Sequence, residues 1–466
     1  MPEKADIYVV APLRRRALWV LVAVLAAAGG PAWARPVSSP HPLGGPIKTV
    51  RVLATGVTLT RIADPNGPYQ IRVLTIDPAR AVMIDTARAS TVWGSVAKTS
   101  LIGQAHHAIA AVNGDFGVWP ARPIHTFAHD GWMIGTGTPD ISFAVSRDEQ
   151  QAFTARVNPR VRATDESGGP SFAVAAWNTG TPSGDAIDGY TAVGGRVAPP
   201  PSEGCFVRLT PIGRLQLSPQ REGATHDYLV AGPASCGASP GPPGTALVLA
   251  SRRSSHVASA TLHALRQGDH VSVTWSLGWP DVGSSVGGQP LLVSDGRALP
   301  DPNCHDYFCD PNPRTGIGFT ATGRILLVTV DGRQRGWSAG MTLYRFAREM
   351  ISLGAVRAMN LDGGGSTTMW ARGLGVVNRP SDWGGERPIS NAVVVLPESL
   401  FKEIGGIHRG TAPPPAPGGE AIWQTVLADP GSTGGLMHAL ADGSLGPHGP
   451  LPLRDLRIAR AFAASR

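Results

Sequence analysis

The chain has 466 residues, of which 42% are hydrophobic and 16% charged, so it can bury the core of one large domain or of two. Its 58 glycines and 42 prolines predict many turns and long loops without reaching the level of a disordered chain. The net charge is +7, but no dense basic run follows the N-terminal segment, so binding to nucleic acid is not expected.

The N-terminus has the pattern of an export signal. Arg14–Arg16 precede the apolar stretch Ala17–Ala28, and Ala32–Ala34 offers a small-x-small cleavage site. We predict a signal peptide over residues 1–34, cleavage near Ala34, and a secreted or periplasmic protein. The apolar stretch is too short for a stable membrane span; an uncleaved anchor is the alternative.

The rest of the chain divides into a lead, one large domain and a tail. Residues 35–48 are rich in proline and glycine and are expected to form a flexible lead. Residues 49–397 carry the apolar and alternating segments of a folded domain, with a Pro-, Gly- and Cys-rich insertion at 199–243. A proline-rich linker begins at Thr411, and no role in a site is expected for the tail, residues 398–466.

Several short elements are predicted along the domain. Alternating apolar and polar residues predict strands between Val50 and Arg88. A helix is predicted over 97–107, followed by a strand over 108–112 that ends at polar residues and glycine. Further strands are predicted at 141–145, 172–176, 246–250, 271–275, 291–294 and 392–396.

Four cysteines fit an exported chain. We pair Cys304 with Cys309, which are close in sequence, and Cys205 with Cys236, which belong to the insertion; this is one of three possible connectivities. Zinc binding is the alternative, but no Cys-x-x-Cys pair occurs and the compartment favours disulfides.

Near the end of the domain, a strand-helix-strand pattern ends in two acids. Residues 324–330 form an apolar run that reaches Asp331, and residues 356–361 form a second run that reaches Asp362. Apolar residues recur at helical spacing between them, with Thr342 as the predicted N-cap. We predict parallel neighbouring strands with a right-handed crossover, which places both acids on the ligand-binding edge of the sheet. The expected fold class is α+β or α/β, with a mixed β-sheet core, a βαβ unit carrying the site, and inserted loops.

The second of these acids begins a glycine run. In Asn360–Thr368, Asp362 precedes Gly363, Gly364 and Gly365, and three hydroxyl residues follow. Consecutive glycines cost backbone entropy and bury nothing, so we expect the backbone to turn sharply or to approach a ligand here. The adjacent carboxylate favours a ligand; a loose turn beside a solvated acid is the alternative.

Short motifs in a fixed order carry a resemblance to a known family. They are residues 111–116, 288–296, Arg314–Gly318, Asp331–Arg333, Gly340–Leu343, Asn360–Thr368 and Glu386–Asn391. The ordered set resembles the phosphodiester glycosidase family from about Thr49 to Leu396, most densely after Arg314. Residues 115–117 and the insertion depart from the family pattern, so we expect this chain to differ from the family in its substrate rather than in its reaction class.

The resemblance implies an exported hydrolase that cleaves the glycosyl–phosphate bond of a sugar-1-phosphodiester in a cell-envelope or extracellular glycan, with N-acetylglucosamine as the sugar to test first. Alternatives are a non-catalytic glycan or phosphosugar binder and an exopolysaccharide assembly factor. The expected partner is thus a phosphosugar or glycan. We predict no cofactor: a divalent cation fits clustered acids and amides, but calcium-loop spacing is missing. The oligomeric state is left open.

Breaking an anomeric C–O bond requires a carboxylate on the sugar side, as nucleophile or as base for water. Asp362 and Asp331 are the first candidates for this role, with Asp115 and then Glu386 behind them. The phosphate side requires cations and aimed N–H donors. The candidate substrate-binding residues are Arg314 and Arg387 as phosphate clamps, Gly363 at the start of the glycine run, the backbone amides of Gly364, Gly365 and Ser366 as an anion-binding nest, and Asn113, Thr367, Asn378 and Asn391 on the sugar side.

Overall fold

The computed structural model describes residues 45–80, 82–90, 95–118, 122–129, 132–138, 141–146, 152–213, 225–278 and 282–397 (the described residues). The expected signal peptide, most of the expected lead and the tail lie outside them, as do positions 214–224 of the predicted insertion. Strands account for 47% of the described residues and helices for 11%. None of the described helices is long and apolar enough to cross a membrane.

The elements follow one another in this order along the described residues. The strands are β1 (Ile47–Ala54), β2 (Val57–Asp64), β3 (Tyr69–Ile76), β4 (Val82–Arg88), β5 (Ala110–Asn113), β6 (Gly117–Val118), β7 (Arg122–Pro123), β8 (Phe127–His129), β9 (Trp132–Gly135), β10 (Ile141–Ser146), β11 (Ala152–Arg156), β12 (Arg160–Asp165), β13 (Ser171–Val174), β14 (Ala176–Trp177), β15 (Ile187–Tyr190), β16 (Gly204–Pro211), β17 (Thr225–Val230), β18 (Ser235–Cys236), β19 (Leu247–Arg252), β20 (His270–Ser276), β21 (Val282–Gly287), β22 (Leu291–Ser294), β23 (Arg297–Ala298), β24 (Arg314–Thr320), β25 (Ile325–Val330), β26 (Ala355–Asn360), β27 (Met369–Ala371), β28 (Gly375–Val376) and β29 (Asn391–Pro397). The helices are α1 (Thr99–Ala105), α2 (Val257–Ala264) and α3 (Leu343–Ser352), and 3-10 turns occur at Ala192–Gly194, Pro201–Glu203 and Gly364–Ser366.

These strands form four main sheets and one short hairpin. An eight-stranded sheet has the order β1-β2-β3-β25-β24-β26-β22-β23, and a nine-stranded sheet has the order β13-β12-β20-β17-β16-β19-β15-β14 with β18 beside β16. Two five-stranded sheets have the orders β11-β10-β21-β8-β9 and β28-β27-β5-β29-β4, and β6 pairs with β7. The predicted insertion contributes three strands to the nine-stranded sheet: β16 and β17 are inner strands, and β18 pairs with β16.

The predicted α+β or α/β fold class is wrong, because the described part of the chain is a set of mainly antiparallel sheets. Both strands of the predicted βαβ unit form, as β25 and β26. However, β24 lies between them and pairs antiparallel with each. The two strands therefore run in the same direction without touching, about 10 Å apart across two strand spacings. Asp331 and Asp362 still follow strand ends on one edge of the sheet.

Glycines in β24 explain both the error and the packing. Gly316 interrupts the apolar pattern and lowers the strand propensity of this segment, so the sequence does not mark it as a central strand. A Cβ at Gly316 would lie 2.8 Å from the ring of Phe346, so the glycine lets α3 pack directly on the sheet. The helix begins as predicted, because the Thr342 hydroxyl accepts a hydrogen bond from the Arg345 amide at 3.1 Å.

A shared core brings three of the sheets together. Buried residues of the eight-stranded sheet, such as Leu74 and Met359, belong to one cluster with Val112 and Val393 of the sheet that contains β5, and with Phe143 of β10. This packing sets the end of β5 and the start of β29 beside the end of β26.

The two predicted disulfides are present. Cys205 and Cys236 join β16 to β18 with their Cα atoms 4.0 Å apart. Cys304 and Cys309 close a short loop before β24 with their Cα atoms 5.8 Å apart. Every cysteine of the chain is thereby paired.

Candidate active site

The site is built where β5 and β26 end and β29 begins. The Asp362 amide donates to the Gly114 carbonyl at 3.0 Å, and the Gly114 amide donates to the Asn391 carbonyl at 3.0 Å. The buried Asn113 side chain donates to the Asp362 carbonyl at 2.7 Å. The Asp115 amide donates to the Asn391 side-chain oxygen at 2.8 Å. These bonds fix the backbone at Asp115 and the backbone at Asp362 relative to each other.

Asp362 is the partly exposed acid of this group. Its Oδ1 accepts a hydrogen bond from the Gly363 amide at 2.9 Å. Burial raises the pKa of Asp362 to about 6, and the Ser366 hydroxyl and the Arg387 charge oppose the rise, whereas the charge of Asp115 adds to it. The carboxyl therefore takes up a proton at a higher pH than an ordinary aspartate does.

Asp115 forms a buried pair with His125, a residue that the sequence analysis did not single out. Asp115 Oδ1 lies 2.6 Å from His125 Nδ1, and Oδ2 accepts from the His125 amide at 3.0 Å. Both side chains are almost fully buried. Asp115 precedes β6 and His125 follows β7, and the antiparallel pairing of these two strands brings the residues together. No local pattern in the sequence predicts this pairing.

The glycine run makes a sharp turn packed against side chains. Gly364 has a φ of +59°, a conformation that favours glycine. A Cβ on Gly365 would lie 2.0 Å from Asp382 Oδ1 and 2.1 Å from a terminal nitrogen of Arg387. The run is therefore glycine-rich because an ion pair lies directly against its backbone.

The amides of this run are mostly used within the protein. The Gly364 amide donates to the Pro313 carbonyl at 2.9 Å, and the Ser366 amide donates to the Gly363 carbonyl at 3.2 Å. The amide of Gly365 has no partner among the described residues. Of the three amides expected to form an anion-binding nest, one is thus available to a ligand. Ser366 instead contributes its hydroxyl to Asp362.

Arg387 lies at the rim of the site and forms a fork with Asp382, with N–O distances of 2.8 and 3.1 Å. Its side chain is 46% exposed. Asp382 raises the pKa of Arg387, and the charge of Asp362 adds to the rise.

Glu386, the next candidate acid, contacts helix α1. Its carboxylate accepts hydrogen bonds from the amide and the hydroxyl of Ser100 at the start of α1, at 2.9 and 2.6 Å.

Asp331 is buried and surrounded by donors. Its oxygens accept from Trp337 Nε1 at 2.9 Å, the Arg379 amide at 2.9 Å and Asn378 Nδ2 at 3.1 Å. Burial raises its pKa, and these three hydrogen bonds and the nearby Arg72 charge oppose the rise. The carboxylate fastens the segment after β28 to the end of β25.

Arg314 is 2% exposed, and its guanidinium is directed at the loop closed by Cys304 and Cys309. It donates to the carbonyls of Met341 at 2.9 Å, Phe308 at 2.8 Å and Asp310 at 2.7 Å. Burial lowers its pKa to about 10. The structure thus places Arg314 as a brace of this loop.

The remaining predicted sugar-side residues make bonds within the protein. Asn113 Oδ1 accepts from the Thr315 hydroxyl at 2.8 Å and the Thr368 amide at 3.1 Å. Asn378 bridges Asp331, the Thr367 carbonyl and the Met369 amide. Asn391 donates to the Ser390 hydroxyl at 2.9 Å. These amides hold the strand ends in place, and the Thr367 hydroxyl is buried without a partner among the described residues.

Two groups of side chains among the described residues have the spacing of metal ligands: Cys205, Cys236 and His263, and Cys304, Asp306 and Cys309. In both groups the sulfurs are joined in a disulfide, so neither offers a thiolate to a metal. The expectation that the protein needs no cofactor stays a prediction.

Comparisons with known proteins identify the region that carries this site. Residues 236–396 match the model of the phosphodiester glycosidase family. The chain is 34% identical over 88 residues to the N-acetylglucosamine-1-phosphodiester alpha-N-acetylglucosaminidase of Bos taurus, a match that covers 18% of this chain and 16% of that protein. It is 36% identical over 84 residues to an uncharacterized prophage-derived protein of Bacillus subtilis, covering 18% of this chain and 13% of that protein.

Two solved structures match a larger part of this chain than these sequence relatives do. A hypothetical protein from Synechocystis matches with a TM-score of 0.60 at 21% identity, over 75% of this chain and 64% of that one. A protein of Burkholderia pseudomallei that is described as exported matches with a TM-score of 0.55 at 24% identity, over 72% of this chain and 77% of that one. The family match over residues 236–396 contains Asp362, Arg387 and the glycine run, and it confirms the resemblance of this chain to the phosphodiester glycosidases.

Proposed function

We propose that the chain is an exported hydrolase that cleaves the glycosyl–phosphate bond of a sugar-1-phosphodiester, with N-acetylglucosamine as the sugar to test first. The family match supports the reaction class. The mammalian relative with N-acetylglucosamine in its name matches only 18% of this chain, so the sugar is part of the proposal. The two disulfides support export, because such bonds persist in oxidising compartments.

The observation that carries the proposal is the environment of Asp362. The residue is partly exposed, burial raises the pKa of its carboxyl to about 6, and the carboxyl interacts with the Arg387 charge and with the Gly363 amide of the glycine run. Asp331 and Asp115 are engaged by donors within the protein. Asp362 is thus the acid of this edge best placed to meet a substrate.

In the proposed reaction, a bond forms between the anomeric carbon and the oxygen of water, directly or after attack by Asp362. The bond from that carbon to the phosphate oxygen breaks, and its electron pair leaves with a phosphate monoester. Above its pKa, Asp362 is ionised and serves as nucleophile or as acceptor of the water proton. Arg387 stabilises charge on the phosphate oxygens. Asp115 and His125 hold the neighbouring strand end beside this group.

The test is turnover of an activated N-acetylglucosamine phosphodiester by the purified protein in water enriched in heavy oxygen. We expect free sugar and a phosphate monoester, with the label in the sugar, because the carbon–oxygen bond breaks. Label in the phosphate would identify a phosphodiesterase that cleaves the P–O bond. Tight binding of the substrate without turnover would instead identify a non-catalytic phosphosugar binder.

A further inference from the structure

A second arginine lies over the glycine run in a constrained backbone conformation. Arg333 has a φ of +58°, which costs a residue with a side chain on the order of 1 kcal/mol. Such conformations persist where the surroundings hold them, and they are concentrated at functional sites. Two terminal nitrogens of Arg333 lie 3.2 Å from the position of a Cβ on Gly364, so the guanidinium covers the turn.

The side chains of Asn312 and Tyr307 orient this guanidinium. Its Nε donates to Asn312 Oδ1 at 2.9 Å, and one terminal nitrogen donates to the Tyr307 hydroxyl at 2.7 Å. Asn312 in turn donates to the Tyr307 carbonyl at 2.9 Å. Tyr307 belongs to the loop closed by Cys304 and Cys309, so the disulfide loop and Arg333 form one unit.

The charge of Arg333 distinguishes it from Arg387. Arg387 is paired with the carboxylate of Asp382, whereas the recorded hydrogen bonds of Arg333 within the described residues go to neutral acceptors. Two guanidinium groups and the Tyr307 hydroxyl thus converge on the glycine turn, and Tyr307 acts electrostatically on Arg387. An anion bound here would neutralise the remaining positive charge through a planar fork of donors.

We propose that Arg333 and Tyr307 bind the phosphate group of the substrate against Gly364 and Gly365, and that the Cys304–Cys309 loop positions Tyr307 for this contact. The assignment of the substrate rests on the proposed function; the binding of phosphate itself does not. The 78% exposed side chain of Tyr307 then faces the alcohol beyond the phosphate and offers it a flat apolar surface.

The first experiment is calorimetry of the full chain with N-acetylglucosamine 1-phosphate, and with inorganic phosphate as the simpler probe. We expect Arg333→Gln to weaken binding about 10- to 100-fold, which is the usual effect of losing a charge-assisted hydrogen-bonding fork. Arg333→Lys keeps the charge without the fork and is expected to restore part of the affinity. Arg335→Gln is the matched control, because Arg335 is exposed two residues away, and we expect wild-type affinity for it.

The second experiment compares substrates. Arg333→Gln is expected to lower kcat/KM about 10- to 100-fold for the phosphodiester but less than about threefold for a neutral activated aryl glycoside of the same sugar. Tyr307→Phe and the double variant Cys304→Ser/Cys309→Ser are expected to raise KM for the phosphodiester about three- to tenfold with little change in kcat.

Failure of this inference differs from failure of the proposed function. Unchanged affinity in Arg333→Gln, or a wild-type chain that binds neither probe, would overturn the phosphate site. A chain that binds the probes through Arg333 but never hydrolyses the phosphodiester would retain the phosphate site and refute the proposed reaction.

Discussion

Two aspartates follow apolar strands that run in the same direction in the eight-stranded sheet with β24 between them, and the environments of the two acids differ. Asp331 is 1% exposed and accepts three hydrogen bonds from side chains and backbone. Asp362 is partly exposed, with an amide and a hydroxyl as its donors. Burial raises the pKa of both acids. The difference lies in how fully each carboxylate is satisfied within the protein.

Under the proposed function, this difference separates Asp331, which holds structure, from Asp362, which takes part in the reaction. A carboxylate surrounded by donors can neither approach a substrate nor give up its hydrogen bonds without a large cost. A carboxylate with fewer donors around it stays available to react, and the burial of its charge lowers the stability of the folded protein. The same local pattern, an apolar strand followed by Asp-Gly, produces both.

The largest effect is expected for the activity of Asp362→Asn. If Asp362 is the sugar-side carboxylate, its loss should lower kcat by about 10³-fold or more, or about 4 kcal/mol. Steady-state kinetics on the activated phosphodiester measure this. Asp227→Asn is the matched control, because Asp227 makes an exposed pair with His270 at 3.0 Å and should leave the rate unchanged. Full activity in Asp362→Asn would remove this acid from the reaction.

The next largest effect is expected for the stability of Asp331→Ala. The variant leaves the buried donor of Asn378 and the part-buried donors of Trp337 and Arg379 without their acceptor, and we expect a loss of about 3 kcal/mol in the free energy of unfolding. Urea unfolding measures the loss, with Asp227→Ala as the exposed control, expected within about 1 kcal/mol of wild type. A stable Asp331→Ala protein that is catalytically dead would reverse the roles of the two acids.

A smaller effect, of opposite sign, is expected for the stability of Asp362→Asn. The pKa of Asp362 is raised from 3.8 to about 6 in the folded state, so the folded protein binds this proton more tightly than the unfolded chain does. The ionised carboxylate therefore costs stability above about pH 6, and the cost disappears as the pH falls below about 4.

Because asparagine carries no charge, the variant should be more stable than wild type by on the order of 2 kcal/mol at about pH 8, after allowance for partial exposure, and equal to it at about pH 4. Urea unfolding of both proteins at the two pH values tests this. A variant less stable than wild type at high pH would show that the Ser366 and Gly363 bonds to the carboxylate outweigh its burial. Asp362 would then resemble Asp331, whose carboxylate holds the structure through its hydrogen bonds.

The sequence predicted the elements around both acids but not how they pair. The apolar runs of β25 and β26 and the helical spacing of α3 are strong local patterns, and these elements form close to the predicted bounds. The strand between them, β24, contains glycines at the positions where α3 packs on it. A local pattern cannot show this, because the contact that makes those glycines favourable is with a helix more than twenty residues later.

For the candidate site, too, the sequence predicted features that depend on local residue patterns but not those that depend on packing between distant segments. The acid before the three glycines and the paired cysteines could be found from residue type and spacing. The positions of His125 and Tyr307 depend on how separate loops fold against the strand ends, and one sequence gives no signal for that. Arg333 lies in the Asp331–Arg333 motif, but its place over the glycine run was not predicted. Arg314 was expected at a phosphate because arginine binds phosphate well; burial against backbone carbonyls directs it to the disulfide loop.

The smallest effect is expected for Glu386, the acid next to Arg387 in sequence. Its carboxylate accepts hydrogen bonds from the amide and the hydroxyl of Ser100 at the start of α1, where negative charge stabilises a helix. Glu386→Gln keeps an acceptor but loses the charge, so we expect a loss of about 0.5 to 1 kcal/mol in the free energy of unfolding and kcat within about twofold of wild type.

Ser100→Ala should destabilise the protein by a similar amount. The double variant should be destabilised by less than the sum of the two single changes, because both changes remove the same interaction. A large fall in kcat in Glu386→Gln without loss of stability would place a second carboxylate in the reaction and leave Asp362 as one member of a catalytic pair.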